Sequence, residues 1–241
     1  MGKRKLFGTD GIRGKANVSP MTSEVATSLG RAVTHYFQTN FQRNKNPVIV
    51  VGKDSQFNTI GEMVDYAKAN PGKVTLSGAG LFVGHHIAAL QLEKATEAKF
   101  AYIPTKGGGA AAMKAVIAGE VMGGINNLSD AFRAREAGNV KILGVADLER
   151  NDFLPDVPTI KEAGYDVDNS SVNFRGLMVP KGTPQDVIDK LAAQVPQMFA
   201  HERVEKRMKA GGSPMHIMTR DEVKAMWAKR EETLKELLAG L

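Results

Sequence analysis

Residues 73–109, KVTLSGAGLFVGHHIAALQLEKATEAKFAYIPTKGGG, contain the pattern that decides the fold. A short apolar stretch over Lys73–Leu76 predicts a strand, and another over Phe100–Ile103 predicts a second strand. Between them, Val83–Thr96 has the length and apolar spacing of a helix. A glycine-containing turn follows each strand. Strand, turn, helix and strand in this order are typical of a parallel β-α-β unit.

The same alternation continues on both sides of this unit. Upstream, Pro47–Val51 predicts a buried strand, and Thr59 followed by Glu62 predicts the capped start of a helix that ends near Ala69. The other predicted elements are helices over 23–39, 109–118, 128–137 and 159–164, strands over 121–125, 140–145 and 174–179, and helices that begin after Thr183 and Thr219. Because alternating strands and helices favour a sheet covered on both sides, we expect an α/β fold with a mostly parallel sheet and helices on both faces.

Composition and charge exclude several classes of protein. The 241 residues carry a formal net charge of +6 and contain no cysteine, which excludes disulfides and thiolate metal sites. Basic residues are mixed with acidic ones, as in Glu202–Arg207, and no aromatic residues are interleaved to stack on bases, so we expect no nucleic-acid partner. No apolar run reaches the roughly 18 residues of a membrane span.

The N-terminal residues bear on location. Met1–Lys5 is basic, as at the start of a signal peptide. The apolar segment of about 7–15 residues that a secretory signal needs does not follow it. We therefore expect the chain as encoded to be cytoplasmic.

Three loops at predicted strand ends form a candidate binding site. Small residues before a helix leave backbone amides exposed at the positive end of the helix dipole, where a carboxylate or phosphate is favoured. Open α/β sheets bind ligands at the carboxyl ends of their strands. Lys106 adds a cation, and the asparagines add amide donors. The candidate residues are Ser77, Gly78, Ala79 and Gly80, then Thr105, Lys106 and Gly107, then Asn126 and Asn127.

The first glycine turn has two other interpretations. Gly78, Gly80 and Gly84 resemble a loose dinucleotide fingerprint, although Thr105 and Lys106 stand where an acidic residue would hold the ribose. A tight β-to-α turn that binds no ligand is the second alternative.

Histidines do not indicate a metal or a catalytic site. His85 and His86 are adjacent, and neighbouring helical residues point about 100° apart, so the pair does not chelate as residues i and i+4 can. Packed or solvent-exposed histidines are the more common outcome, and replacing His85 with alanine is expected to affect binding little. We predict no catalytic residue, no metal and no cofactor.

The segment Phe7–Gly14, FGTDGIRG, resembles the N-terminus of bacterial phosphoglucosamine mutase, and the predicted strand over Val48–Asp54 fits that family too. The resemblance covers residues 1–54 and implies a β-α-β segment with a remnant of a phosphate loop. Its glycines permit close backbone approach, and its arginine offers two parallel donors. The implied residues are Gly8, Thr9, Asp10, Gly11 and Arg13.

A second resemblance covers the rest of the chain. Tyr66–Val74, Ile103–Gly109 and Leu154–Gly164 are similar, in order and spacing, to motifs of the solute-binding proteins of tripartite tricarboxylate transporters. That family usually has serine at the position of Val83 and tyrosine at that of Thr105. The match over 55–241 implies a periplasmic-binding-protein-like second lobe over 70–180 and C-terminal helices over 181–241 that return to an incomplete first lobe.

The two resemblances imply different functions. The larger one implies a solute-binding protein for a small organic carboxylate, which would work with membrane transporter subunits if exported and could be impaired by its incomplete first lobe. That family is periplasmic. The alternative is an N-terminal fragment of phosphoglucosamine mutase. We expect such a fragment to be inactive, because the family's phosphoserine segment and Asp-Gly-Asp-Gly-Asp magnesium loop are missing from the sequence. The chain is therefore interpreted as a chimera that is not an enzyme.

Overall fold

The computed structural model describes residues 46–174, 176–210 and 215–239. The strands of this part are β1 (Pro47–Gly52), β2 (Val74–Gly78), β3 (Phe100–Pro104), β4 (Gly123–Asn127) and β5 (Val140–Val145). Its helices are α1 (Ile60–Ala69), α2 (Gly84–Thr96), α3 (Gly108–Ile117), α4 (Leu128–Glu136), α5 (Gln185–Phe199), α6 (Glu202–Ala210) and α7 (Arg220–Leu238). The predicted helix over 23–39 lies outside the described residues.

The chain divides into two compact units. One comprises residues 42–175 and 208–241 and contains all five strands named above. The described part of the other comprises residues 176–207 and contains α5 and most of α6. Among the helices of the described ranges, none is long and apolar enough to cross a lipid bilayer.

The larger unit is built on a five-stranded sheet with the order β3-β2-β4-β1-β5. β2 is parallel to both β3 and β4, whereas β1 is antiparallel to both β4 and β5. The α/β class is confirmed; the sheet is mixed, with β2, β3, β4 and β5 running in one direction and β1 running in the opposite direction. The direction of β1 escaped prediction because a strand buried on both faces is apolar throughout, and such a pattern carries no information about strand direction.

Successive side chains of β1 pack into separate cores on the two faces of the sheet. Ile49 and Val51 belong to the core formed with α1 and α2, and Val48 and Val50 belong to the core formed with α3 and α4. All four side chains are almost completely buried. This alternation is the period of two that a strand imposes, and it explains why five consecutive positions from Pro47 are apolar. Helices therefore cover both faces of the sheet.

Three local predictions differ from the structure. Residues 174 and 176–179 are irregular, because a β-prone segment needs a partner strand. Residues 159–164 form hydrogen-bonded turns and not a helix, although Thr159 and Glu162 make both bonds of a capping box. α5 has Pro184 as its N-cap, since the Thr183 hydroxyl donates to Pro180 O. By contrast, the capping box of Thr219 and Glu222 is formed as predicted.

Candidate functional site

The three candidate loops lie at one edge of the sheet. In the parallel ladders, Gly78 is paired with Pro104, and Ser77 is paired with Gly124. β2, β3 and β4 run in the same direction, so the segments that follow them emerge on the same side. The structure thereby brings the glycine turn after β2 together with the loop after β3 and the asparagines at the end of β4.

Side chains from β3 and its loop hold the glycine turn. The Thr105 hydroxyl donates to Gly78 O at 2.8 Å, and the Thr105 amide donates to the same oxygen at 2.9 Å. The Tyr102 hydroxyl donates to Ala79 O at 2.7 Å, and burial raises the pKa of this phenol, so it stays protonated near neutral pH. Both carbonyls of the turn are thus bound from the β3 side, and Thr105 acts on the turn through these bonds.

Ser77 faces the packed side of the turn. Its side chain is fully buried, and its hydroxyl donates to Ala112 O in α3 at 3.0 Å. Within this turn, the Ser77 hydroxyl therefore fixes β2 against α3. Ala79 is half-buried and Gly80 is exposed, so the backbone of these two residues remains on the accessible side.

His85 connects two of the loops and was missed from the sequence. It is 3% exposed, its Nδ1 accepts a hydrogen bond from the Ala79 amide at 3.1 Å, and its Nε2 lies 3.1 Å from Asn127 Oδ1. A neutral ring with its proton on Nε2 satisfies both contacts. The available signal was its position, one residue after Gly84 in the first turn of the helix that follows the glycine turn.

Asn126 is the most unusual polar residue of the site. It is fully buried, and neither Nδ2 nor Oδ1 has a hydrogen-bond partner within the described part of the chain. A β-carbon added at Gly109 would lie 3.4 Å from Asn126 Oδ1 and 3.2 Å from Asn127 Nδ2, so the first turn of α3 approaches both asparagines closely. Buried polar groups without partners are costly, and such groups cluster at binding sites where a ligand or water completes them.

Two helix N-termini at this edge favour an anion. α2 and α3 begin after Val83 and Gly107, neither of which supplies a side-chain cap, and neither helix has an acidic residue in its first turn. α4 differs because Asp130 lies in its first turn and pairs with Arg133 at 2.7 Å. The N-terminal dipoles of α2 and α3 therefore give the site its positive character, and exposed Lys106 adds to it.

The turn between Gly80 and α2 carries exposed apolar side chains. Leu81, Phe82 and Val83 are 53%, 60% and 44% exposed. The Phe82 amide donates to His86 Nδ1 at 3.1 Å, and their ring centroids lie 5.2 Å apart in an edge-to-face arrangement. Burial lowers the pKa of His86, while nearby Glu93 raises it less. The His86 ring is therefore neutral at neutral pH and can accept this hydrogen bond.

The segment before residue 175 packs against the start of α2. A β-carbon at Gly84 would lie 2.5 Å from Ser171 O, so only glycine permits this approach. Arg230 of α7 holds the segment by donating from Nη1 to Val172 O at 2.6 Å and from Nη2 to Asn169 O at 3.2 Å. α7 thus supports the backbone next to the N-terminus of α2.

Other features of the larger unit do not belong to this site. A groove of about 410 Å³ lies at the opposite edge of the sheet, where β4 begins, and is lined by Gly52–Phe57 and the C-terminal end of α3. In the described ranges, no group of three or more histidine and acidic residues could hold a metal ion. The phosphate-loop residues Gly8, Thr9, Asp10, Gly11 and Arg13 lie outside the described residues.

The fold is that of a periplasmic-binding-protein lobe, and comparisons identify the family. Residues 37–238 match the family described as tripartite tricarboxylate transporter family receptor. Because this match spans most of the chain, the chain belongs to that family. A UPF0065 protein in the tcbD-tcbE intergenic region of Pseudomonas sp. strain P51 is 33% identical over 177 residues, which are 69% of this chain and 51% of that protein.

Solved structures agree with this assignment. The structure of a TctC solute-binding protein from Polaromonas superposes with a TM-score of 0.70 at 25% identity, over 83% of this chain and 67% of that one. The periplasmic binding protein BugD gives a TM-score of 0.63 at 28% identity, over 80% and 64% of the two chains. MatC from Rhodopseudomonas palustris with bound malate, at 23% identity and a TM-score of 0.61 over 81% and 65%, shares the fold.

The N-terminal resemblance is also confirmed. Residues 4–67 match the first α/β/α domain of the phosphoglucomutase and phosphomannomutase family. The phosphoglucosamine mutase of Syntrophotalea carbinolica is 49% identical over 65 residues, which are 27% of this chain and 13% of the mutase. The two family matches overlap over residues 37–67, which include β1. The chain spans about half the length of the curated UPF0065 relatives that it matches.

Proposed function

We propose that the larger unit binds a small organic carboxylate at the edge formed by the loops after β2, β3 and β4. The observation that carries the proposal is the meeting of two uncapped helix N-termini, α2 and α3, beside the buried and unpartnered amide of Asn126. Backbone amides in such positions bind a carboxylate without a charged side chain. Membership of the receptor family supports the same ligand class.

The proposal assigns roles to the predicted residues. Gly80 and Gly107 offer backbone amides, Ala79 lies beside them with its own amide bound to His85, and Lys106 offers a cation at the rim. Ser77, Gly78 and Thr105 keep the turn in place through the contacts described above. Asn126 and Asn127 are the remaining residues proposed to contact or face the ligand.

Calorimetry on the full chain tests this function. Malate, adipate and citrate are suitable probes, and the matched controls are the corresponding neutral amides. We expect at least one acid to bind and its amide to bind at least about tenfold more weakly, because hydrogen bonds to a charged group contribute roughly 1.5–3 kcal/mol. Equal binding of an acid and its amide, or no binding by any acid, would contradict the proposal.

The role in transport follows from the same proposal. A ligand-loaded chain in an export-competent context would deliver its carboxylate to membrane transporter subunits, and the incomplete first lobe would weaken this delivery. The cytoplasmic location expected for the encoded chain stays a prediction, and fractionation of cells that express the chain tests it.

A mutase activity is the second candidate, favoured by the match over residues 4–67. The matched part is only 13% of the mutase of S. carbinolica. We therefore propose that the chain is not an enzyme. Incubating the purified chain with glucosamine 6-phosphate should give no isomerisation, and turnover that depends on the protein would contradict this.

A further inference from the structure

An apolar strip borders the proposed carboxylate site. It consists of Leu81, Phe82 and Val83, which join Gly80 to the first residue of α2. All three side chains are large, apolar and at least 44% exposed, and Ile103 near the end of β3 is 39% exposed. Three consecutive exposed apolar residues are unusual on a surface loop, and contiguous apolar patches mark binding sites.

Neighbouring residues fix the conformation of Phe82. Its φ of 56° lies in the left-handed region, which is uncommon for a bulky residue. The conformation is fixed by the hydrogen bond from the Phe82 amide to His86 Nδ1 and by the edge-to-face contact of the two rings at 5.2 Å. Backbone strain that persists in this way clusters at ligand-binding positions.

The aromatic rings are tied to the amide turn. His86 also contacts the Tyr102 ring, with centroids 4.6 Å apart, and Tyr102 donates its hydroxyl to Ala79 O at 2.7 Å. The stack of Phe82, His86 and Tyr102 is therefore joined to the backbone of the carboxylate site by the hydrogen bond from Tyr102 to Ala79 O. A ligand whose carboxylate meets the amides near Ala79 would extend its carbon body along this stack.

We propose that this site selects carboxylates whose carbon body is apolar or aromatic over small hydroxylated polycarboxylates. The inference rests on the proposed carboxylate-binding function and specifies its ligand class. One end of the site carries the amides, the helix dipoles and Lys106, which complement a single carboxylate. The other end carries the apolar strip, where a hydroxyl or a second carboxylate would lose water without gaining a partner.

Phe82 is the residue that sets this preference. An aromatic ring in the ligand can stack on the exposed ring, in an offset or edge-to-face arrangement. Even one methylene group in an apolar pocket changes selectivity by roughly 10- to 200-fold, and an open strip is expected to act near the lower end of that range.

Calorimetry with phenylacetate, hexanoate, malate and citrate tests the proposal on the full chain. We expect phenylacetate and hexanoate to bind at least about tenfold more tightly than malate and citrate. Phe82→Asn removes the ring, while asparagine tolerates a positive φ. It should weaken phenylacetate binding by about tenfold and change malate binding less than about twofold.

Two further variants show whether any change in affinity comes from the loss of the Phe82 ring. Phe82→Leu retains an apolar side chain and should keep hexanoate binding while it weakens phenylacetate binding. Leu148→Asn makes the same kind of change at another exposed apolar residue, 45% exposed after β5, and should leave all affinities unchanged. Circular dichroism and sedimentation velocity on each variant check its fold and its oligomeric state.

The possible results distinguish a failure of the proposed selectivity from a failure of the carboxylate-binding function. Tighter binding of malate or citrate than of phenylacetate would overturn the selectivity and leave the carboxylate function standing. Binding of none of the four acids would contradict both. A Phe82→Asn variant that loses a dimer but keeps its phenylacetate affinity would make the strip a contact between copies, which overturns the inference. If Phe82→Asn weakened the binding of all four acids equally, Phe82 would only maintain the conformation of the turn, which would contradict the proposed selectivity.

Discussion

The Nε2 atom of His85 lies 3.1 Å from Oδ1 of Asn127, and this contact joins the first turn of α2 to the end of β4. The other ring nitrogen, Nδ1, accepts the Ala79 amide of the glycine turn. One buried ring therefore fixes two of the three loops that form the candidate site. From the sequence, His85 had no assigned role, and its replacement with alanine was expected to affect binding little. Its contacts in the structure predict a larger effect.

Replacing His85 with alanine should lower both stability and carboxylate affinity. The Ala79 amide and Asn127 Oδ1 would each lose the ring as a hydrogen-bond partner, and a buried group left in that state costs roughly 1–3 kcal/mol. We expect the free energy of unfolding in urea to fall by about 2 kcal/mol or more. His201→Ala replaces an exposed histidine and is the matched control, with an expected change within about 0.5 kcal/mol. If the two variants behave alike, His85 does not organise the site.

Lowering the pH should destabilise the fold through His86. Burial depresses its pKa in the folded state below the ordinary value of 6.5, so the unfolded state binds more protons as the pH falls below that value. The stability that neutral His86 contributes is present above pH 6.5 and is lost as the pH falls through the lower folded-state pKa. Urea unfolding measured between pH 7.5 and 5 should show this loss.

His86→Gln is the variant that isolates this effect, because glutamine does not titrate in this range. The decrease in unfolding free energy between pH 7.5 and 5 should be smaller in the variant than in the unmodified chain. An identical pH dependence in the two proteins would show that His86 does not contribute to it.

Arg230→Lys should loosen the segment that packs on the start of α2. The guanidinium binds two carbonyl oxygens, Val172 O and Asn169 O, and its carbon Cζ lies 5.1 Å from the centroid of the Phe174 ring. Lysine cannot reproduce this planar fork. We expect a loss of about 1–3 kcal/mol in unfolding free energy.

Trp227 reports this change directly. It is the single tryptophan of the sequence, and its ring lies 5.7 Å from that of Phe174. Its fluorescence should therefore shift in Arg230→Lys. The control Arg135→Lys changes a partly exposed arginine that pairs with Asp156 at the surface, and surface pairs contribute less than about 1 kcal/mol. An unchanged tryptophan spectrum in Arg230→Lys would mean that Arg230 does not hold this segment.

Much of the larger unit could be predicted from its sequence. The five strands from β1 to β5 and the helices between them follow from periodicity and from turn residues such as Gly78 and Gly138, which mark where elements end. The meeting of the three candidate loops at one edge followed from the rule that segments after parallel strands emerge at the same edge of the sheet. These features depend on the spacing of apolar and turn residues within short segments, which can be read directly from the sequence.

The remaining features depend on contacts between distant residues. The direction of β1 is set by its pairing with β4 and β5, while its own pattern, PVIVVG, suits either direction. His85 matters because it reaches Asn127, 42 residues away, and an isolated histidine pair gives no sign of this. The segment over 174–179 has the composition of a strand but forms none in its described residues.

The overlap of the two family matches has a structural explanation in β1. This strand lies within residues 37–67, where both families match, and it occupies an interior position in the sheet. An interior strand requires apolar, β-branched residues on both faces, and Val48–Val51 meets that requirement.

The most direct test of the central claim is the affinity of a carboxylate for Ala79→Asp compared with Ala79→Asn. The two side chains have nearly the same size, and only aspartate places a negative charge beside the amides proposed to hold the ligand. Like charges a few ångströms apart repel by roughly 4 kcal/mol at an effective dielectric constant near 20, which far exceeds the roughly 1.4 kcal/mol of a tenfold change. The account predicts, by calorimetry, that the tightest-binding carboxylate loses at least about a hundredfold in affinity in Ala79→Asp relative to Ala79→Asn. Equal affinity of the two variants for a carboxylate that binds the unmodified chain would contradict it.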